Sequence, residues 1–303
     1  MSLCSMKAPL AILCGAFCAS TSGTAQALAP DGVTPLAVGA MRLLGGGLVL
    51  LLWGLLSRNT PRLAGWPKAH IITAAAGLTG YQLFFFEACK QVGVAVSTVV
   101  AIGGCPVVVG ILGWFILKEK PVKAWYAGTL LALCGLVVLT LGTGNHALPC
   151  SSMLALALPL LAACSYAVFL VSVKPVLQQH DPVQIMTVIF LLGGIALAPL
   201  LWTQPLRWVL TPRGALVVAN LAIVTTSLSF SLVLYGMKRT SAAMTSTLGL
   251  AEPVGAAMLG FMVLNEPCSQ QTLLGLFCML ASMAFLIASS HKPSCDAANL
   301  VNQ

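Results

Sequence analysis

Charge is what this sequence has least of. Asp and Glu number 7 in 303 residues, and all charged residues make up 7%, against about a quarter in soluble domains. A chain so poor in charge cannot clothe a soluble globule of this size. The motifs of several function classes are missing as well. There is no G-x-x-x-x-G-K-[ST] loop to cradle nucleotide phosphates, which argues against direct ATP hydrolysis. H-E-x-x-H, G-x-S-x-G and paired aspartates, the sets an intramembrane hydrolase would display, are also absent. His70, His146, His180 and His291 fall at loops or ends of apolar blocks, and Asp31 and Asp181 fall in loops. The eleven cysteines contain no C-x-x-C pair, so the common zinc and redox patterns are lacking. Cys14, Cys18, Cys105, Cys134, Cys164 and Cys278 lie inside apolar blocks and read as small residues that tolerate close helix contact. Net charge is +8, but no basic face or aromatic platform accompanies it, so nucleic acid is not an expected partner. The expectation is a chain that is not an enzyme and uses no metal or cofactor.

What the sequence does have is long apolar runs. Hydrophobic residues reach 58%, in blocks at about 8–28, 33–57, 69–89, 93–117, 123–143, 151–173, 183–203, 214–237, 241–264 and 270–290. About 20 apolar residues cross ~30 Å of hydrocarbon as a helix. An outer-membrane barrel would instead show alternating segments of about ten residues. The fold class expected is therefore all-α integral membrane, with ten transmembrane helices and no room for a soluble catalytic domain. Lys7, the first apolar stretch and Ala25-Gln26-Ala27 resemble a cleavable signal peptide. The stretch is interrupted by Ser20, Thr21, Ser22 and Thr24, and its loss would leave one half of the chain a helix short. An uncleaved first helix is expected.

Loop charges give an orientation. With the N-terminus inside, Lys7, Arg58, Arg62, Lys68, Lys118, Lys120, Lys123, Lys174, Lys238, Arg239 and Lys292 fall on the inner face. Lys90, Arg207 and Arg213 fall outside. By the positive-inside rule this bias places both termini of a multi-pass membrane protein in the cytoplasm.

The sequence also repeats at an offset of 147 residues. Ten identities fall in residues 95–135 without a gap. Among them are Pro106 with Pro253, Gly113 with Gly260, Glu119 with Glu266 and Gly128 with Gly275. The offset carries the fourth helix onto the ninth and the fifth onto the tenth. Five is odd, so the second half enters the membrane upside down relative to the first. The halves expected are residues 1–146 and 147–292, with a short tail at 293–303. Lys118, Lys120 and Lys123 in the loop after helix four have no cationic counterpart near Glu266, as inversion requires. Arg207 and Arg213 fit this scheme poorly. Inverted halves can open a shared mid-membrane site to one side and then the other.

Two stretches carry a family resemblance: Gly104-Cys-Pro-Val-Val-Val-Gly-Ile-Leu-Gly-Trp-Phe-Ile-Leu-Lys-Glu119 and Ala251-Glu-Pro-Val-Gly-Ala-Ala-Met-Leu-Gly-Phe-Met-Val-Leu-Asn-Glu266. With Arg42 in helix two and the five-plus-five plan, they resemble the EamA type of the drug/metabolite transporter superfamily. The resemblance covers nearly the whole chain. It implies a multi-pass permease of the plasma (inner) membrane of a prokaryote, often exporting amino acids or related metabolites. The first helix departs from that pattern, having Cys18-Ala-Ser-Thr-Ser-Gly23 where a tryptophan-glycine pair is common.

Two buried charges stand out. Arg42 lies well inside helix two, where a charge costs about 2.5–3.5 kcal/mol on insertion scales. It either anchors a substrate carboxylate or phosphate, or makes a structural ion pair or a helix-packing contact. Glu252 is the one acidic residue deep inside a block. It is a candidate proton carrier, the partner of Arg42, or with Pro253 part of a simple kink. Pro106 and Pro253 each remove a helix hydrogen bond at similar depth, which either exposes backbone toward a cavity or only bends the helix. Tyr81, Gln82, Ser227 and Ser229 are candidates for a hydrated pathway, although Ser and Thr often bond between helices. Glu87, Glu119 and Glu266 sit at helix ends, where they cap, orient or gate. The expected function is a secondary transporter of small polar metabolites. A non-transporting membrane scaffold is the rival reading, and uptake the rival direction. The expected partners are the metabolite, the lipid bilayer, protons and, in a homodimer, a second copy of the chain.

Overall fold

In hydrocarbon every backbone polar group must be bonded within the protein, so an apolar segment that crosses it alone does so as a helix. The computed structural model describes residues 3–61, 65–142, 157–265 and 269–289, and no strand occurs among them. Ten helices are long and apolar enough to span a membrane. They are α1 (Met6–Ala27), α2 (Pro35–Leu56), α3 (Lys68–Val92), α4 (Val96–Leu117), α5 (Lys123–Leu141), α6 (Ala157–Leu177), α7 (Pro182–Leu201), α8 (Pro212–Met237), α9 (Ala242–Val263) and α10 (Gln270–Ser289). The expected boundary at 146/147, the tail at 293–303 and Glu266 lie outside the described residues.

The helix starts are written in local chemistry. Thr34 accepts a hydrogen bond from Ala37 N–H and is followed by Pro35; Asp181 accepts from Val183 N–H and is followed by Pro182. A capping oxygen followed by a proline is a strong start signal, because proline has no N–H to leave unpaired. These two starts are themselves 147 residues apart, so the repeat reaches well beyond residues 95–135.

The packing repeats in the same way. Shifting each helix number by five carries the α1–α8 contact onto α6–α3, α1–α9 onto α6–α4, and α2–α8 onto α7–α3. The pairs α2–α7, α5–α10 and α4–α9 map onto themselves, as pairs that face across a two-fold axis must. Individual side chains obey the same exchange. A Cβ on Gly47 would meet Leu191 N at 2.9 Å, and a Cβ on Gly194 would meet Leu44 N at 2.8 Å. Gly128 lies against Leu286 and Gly275 against Leu139 in the same reciprocal fashion. Small residues let the backbones approach at these crossings, where packing must supply the association that the hydrophobic effect cannot supply in lipid. The fold is two inverted five-helix repeats.

Three helices depart from regular α geometry. α4 contains π-helical turns at Val99–Gly103 and Gly113–Leu117, on either side of Pro106. α8 has a π-helical turn at Ile223–Leu228. α9 is broken into Ala242–Leu248 and Ala251–Val263. Pro253 cannot donate to Gly249 O, and the Glu252 N–H bonds that carbonyl instead at 3.0 Å, which tightens the turn just before the second segment.

One loop assignment changes. Lys174 was expected beyond the end of the sixth apolar block, but α6 runs to Leu177 and Lys174 is 7% exposed within it. It is not a free loop charge. Arg213, which fitted the orientation poorly, donates from Nε to the Leu28 carbonyl and so ties α8 to the end of α1.

Candidate functional site

Helices α4, α8 and α9 converge with α1, α2, α3 and α6 around a cavity of about 80 Å³, room for several waters. Arg42 enters it from α2, Tyr81 and Gln82 from α3, Cys105 from α4 and Tyr166 from α6. Ser229 enters from α8, and Thr245, Ser246, Gly249 and Glu252 from α9. Both halves therefore supply the wall. The break in α9 places Glu252 in the first turn of a new helical segment, so its carboxylate sits where the preceding turn leaves the regular helix.

Arg42 Nε donates to Thr226 Oγ1 at 3.3 Å, in the π-helical turn of α8. Glu252 is not its direct ion-pair partner: the ion pairs among the described residues are Lys90–Glu87 and Lys174–Glu119. A cation and an anion thus face one cavity from opposite halves without touching. Among the described residues the Glu252 carboxylate and the Gln82 amide have no protein hydrogen-bond partner, and both border the cavity. Gln82 is 4% exposed. Buried polar groups without protein partners call for water or a ligand.

Aromatic rings frame one side. Tyr81 and Tyr166 stand with centroids 5.0 Å apart, and Tyr166 continues to Phe169 at 5.5 Å. Phe230, also in the wall, packs edge-on to Phe190 at 5.3 Å. The cavity therefore offers a cation, a carboxylate, amide and hydroxyl groups and flat apolar faces in one wall.

The other sequence candidates fall elsewhere. Pro106 and Pro253 flank the cavity without lining it and shape the helices that do. Ser227 donates to Gly46 O at 3.0 Å and Ala222 O at 2.7 Å, a link between α2 and α8 rather than part of the wall. Glu87 pairs with Lys90 at 3.5 Å and accepts from Gln91 at 3.0 Å near the end of α3. Glu119 accepts the Ala242 N–H at 3.0 Å and so caps the start of α9. Cys105, Thr245 and Ser246 also line the cavity and were not among the residues singled out for the pathway. The repeat itself held a signal for the first, since Cys105 is the 147-residue counterpart of Glu252.

Comparison with known proteins fits this geometry. The family model of EamA, the EamA-like transporter family, matches residues 6–141 and again residues 153–288. The chain belongs to the EamA-like transporter family. An uncharacterized transporter of Bacillus subtilis strain 168, YwfM, is 35% identical over 283 residues, covering 93% of this chain and 94% of its own length. A second uncharacterized transporter of that strain, YetK, is 24% identical over 266 residues, covering 85% of this chain and 79% of its own. A solved crystal structure aligns with a TM-score of 0.82 over 93% of this chain and 97% of the other, at 22% identity, which shows a shared fold. This EamA-like chain is a multi-pass membrane transporter whose two matched segments are the two halves of the fold.

Proposed function

We propose that this transporter exports small polar metabolites, amino acids and related compounds among them, across the inner membrane of a prokaryote by alternating access, with Glu252 carrying a proton. The observation that carries the reading is Arg42 and Glu252 facing one cavity from opposite halves without an ion pair between them. A guanidinium matches a substrate carboxylate or phosphate. Transporters use carboxyl groups inside the membrane in proton pathways. Inverted halves supply the exchange between two accessible states. Export follows the resemblance of the α4 and α9 stretches to permeases that often release amino acids, and the excess of Lys and Arg at one end supports cytoplasmic termini.

The test is a metabolite profile of the medium from cells overproducing the protein beside cells carrying an empty vector. Enrichment of a few polar compounds outside the producing cells is expected. An unchanged medium, with the protein well inserted, would count against export. Once a substrate is found, reconstituted vesicles test coupling: faster flux under a pH gradient is expected, and equal flux with and without one would remove the proton from the account.

A further inference from the structure

Lys174 is a buried cation that the cavity does not use. It lies near the end of α6, one helical turn of about 5.4 Å beyond the cavity-lining Leu170. Its ammonium donates to Met237 O at 2.5 Å and to Thr240 O. Those carbonyls belong to the end of α8 and the turn into α9. Glu119, just past the end of α4, stands 3.9 Å from the same ammonium and also accepts the N–H of Ala242, the first residue of α9. Three parts of the molecule, from both halves, therefore meet on one lysine.

What these contacts hold matters to the cavity. The first segment of α9, Ala242–Leu248, brings Thr245 and Ser246 into the cavity wall and ends at the break before Glu252. Separation of α6 from the α8–α9 turn has to break the bonds of Lys174, and an ammonium stripped of its acceptors is costly to leave buried. Lys118, Lys120, Lys238 and Arg239 belong to the same loops, so this is the lysine-rich end of the molecule.

We propose that Lys174 is a positioning residue for transport. With Glu119 it latches the α8–α9 turn against α4 and α6, holds the lysine-rich end of the cavity shut, and releases when that end opens. The inference rests on alternating access through the central cavity and goes beyond it by naming what keeps one end closed.

Cys105 provides a native reporter, because it lines the cavity and is a free thiol. A membrane-impermeant maleimide is applied to membrane vesicles of each orientation, and modification of Cys105 is read by peptide mass spectrometry. Lys174→Met is expected to raise labelling from the lysine-rich face by about tenfold, the change that follows from removing about 1.4 kcal/mol from the closed state. Labelling from the opposite face should fall, and Lys174→Arg should stay near the native pattern. Unchanged labelling, or an equal rise from both faces as expected of a merely loosened protein, would overturn the proposal. If Lys174→Met fails to insert, Glu119→Gln decides by the same readout, since it keeps an acceptor for Ala242 and loses the charge. A shift in sidedness without metabolite export would leave the latch standing and sink the export reading.

Discussion

Cys105 precedes Pro106 in α4, and Glu252 precedes Pro253 in α9. The two dipeptides are repeat counterparts, both bring their first residue to the cavity wall, and only one of them carries a charge. Arg42 shows the reverse: its counterpart in the second half is Ile189, fully buried in the apolar core. The backbone plan is thus duplicated and the chemistry is divided. The first half gives the cation and the second gives the anion, so any rocking of one half against the other changes the separation of the two charges. The helices also accommodate their prolines differently. α4 stays continuous through π-helical turns, whereas α9 breaks at Gly249–Leu250.

Several substitutions would break or sharpen this contrast. The largest effect is expected where a charge stands alone. Arg42→Gln should lower flux at subsaturating substrate at least about tenfold, equivalent to losing about 1.4 kcal/mol of interaction, with Arg42→Lys intermediate because it keeps the charge but not the fork. Full activity of Arg42→Gln in vesicles would return the arginine to a packing role. A smaller, asymmetric effect is expected at the prolines. Pro253→Ala restores a donor for Gly249 O, which lets the break in α9 relax and moves Glu252, so flux should fall. Pro106→Ala should disturb an unbroken helix less. Equal effects of the two would mean that the break does not matter.

The smallest effects belong to packing, read as stability rather than transport. Gly275→Ala pushes a Cβ to 2.5 Å from the Leu139 backbone nitrogen, whereas Gly128→Ala meets only the side chain of Leu286, at 2.6 Å. Overpacking costs typically about 1–3 kcal/mol, and the backbone clash should lie at the upper end. Thermal unfolding in detergent should therefore show a lower Tm for Gly275→Ala than for Gly128→Ala; the opposite order would argue that α5 and α10 do not face each other as described.

The fold was legible because its determinants are local or periodic. Apolar block length gave ten spans, and the gapless identities around Pro106 and Pro253 gave the repeat. The capped starts at Thr34-Pro35 and Asp181-Pro182 and the paired Gly46-Gly47 and Gly193-Gly194 extend that repeat and were readable too. The site was half legible. Arg42 and Glu252 stand out because charge inside an apolar block is rare, and both line the cavity, as do Tyr81, Gln82 and Ser229. Ser227 and Ser229 are two residues apart, yet one links α2 and α8 while the other borders the cavity; composition cannot tell two faces of a locally π-helical turn apart. Lys174 read as a loop charge because a lysine usually ends an apolar block. Only its three-dimensional neighbours, the carbonyls ending α8 and the carboxylate of Glu119, make its burial tolerable.

The central claim is that Glu252, and not its counterpart Cys105, makes the shared cavity work. The direct test is the metabolite profile of culture medium from cells producing the native protein, Glu252→Gln or Cys105→Ser at matched membrane levels. The account predicts the same enriched compounds outside cells with the native and Cys105→Ser proteins, and loss of that enrichment with Glu252→Gln. Enrichment that survives Glu252→Gln unchanged would contradict it.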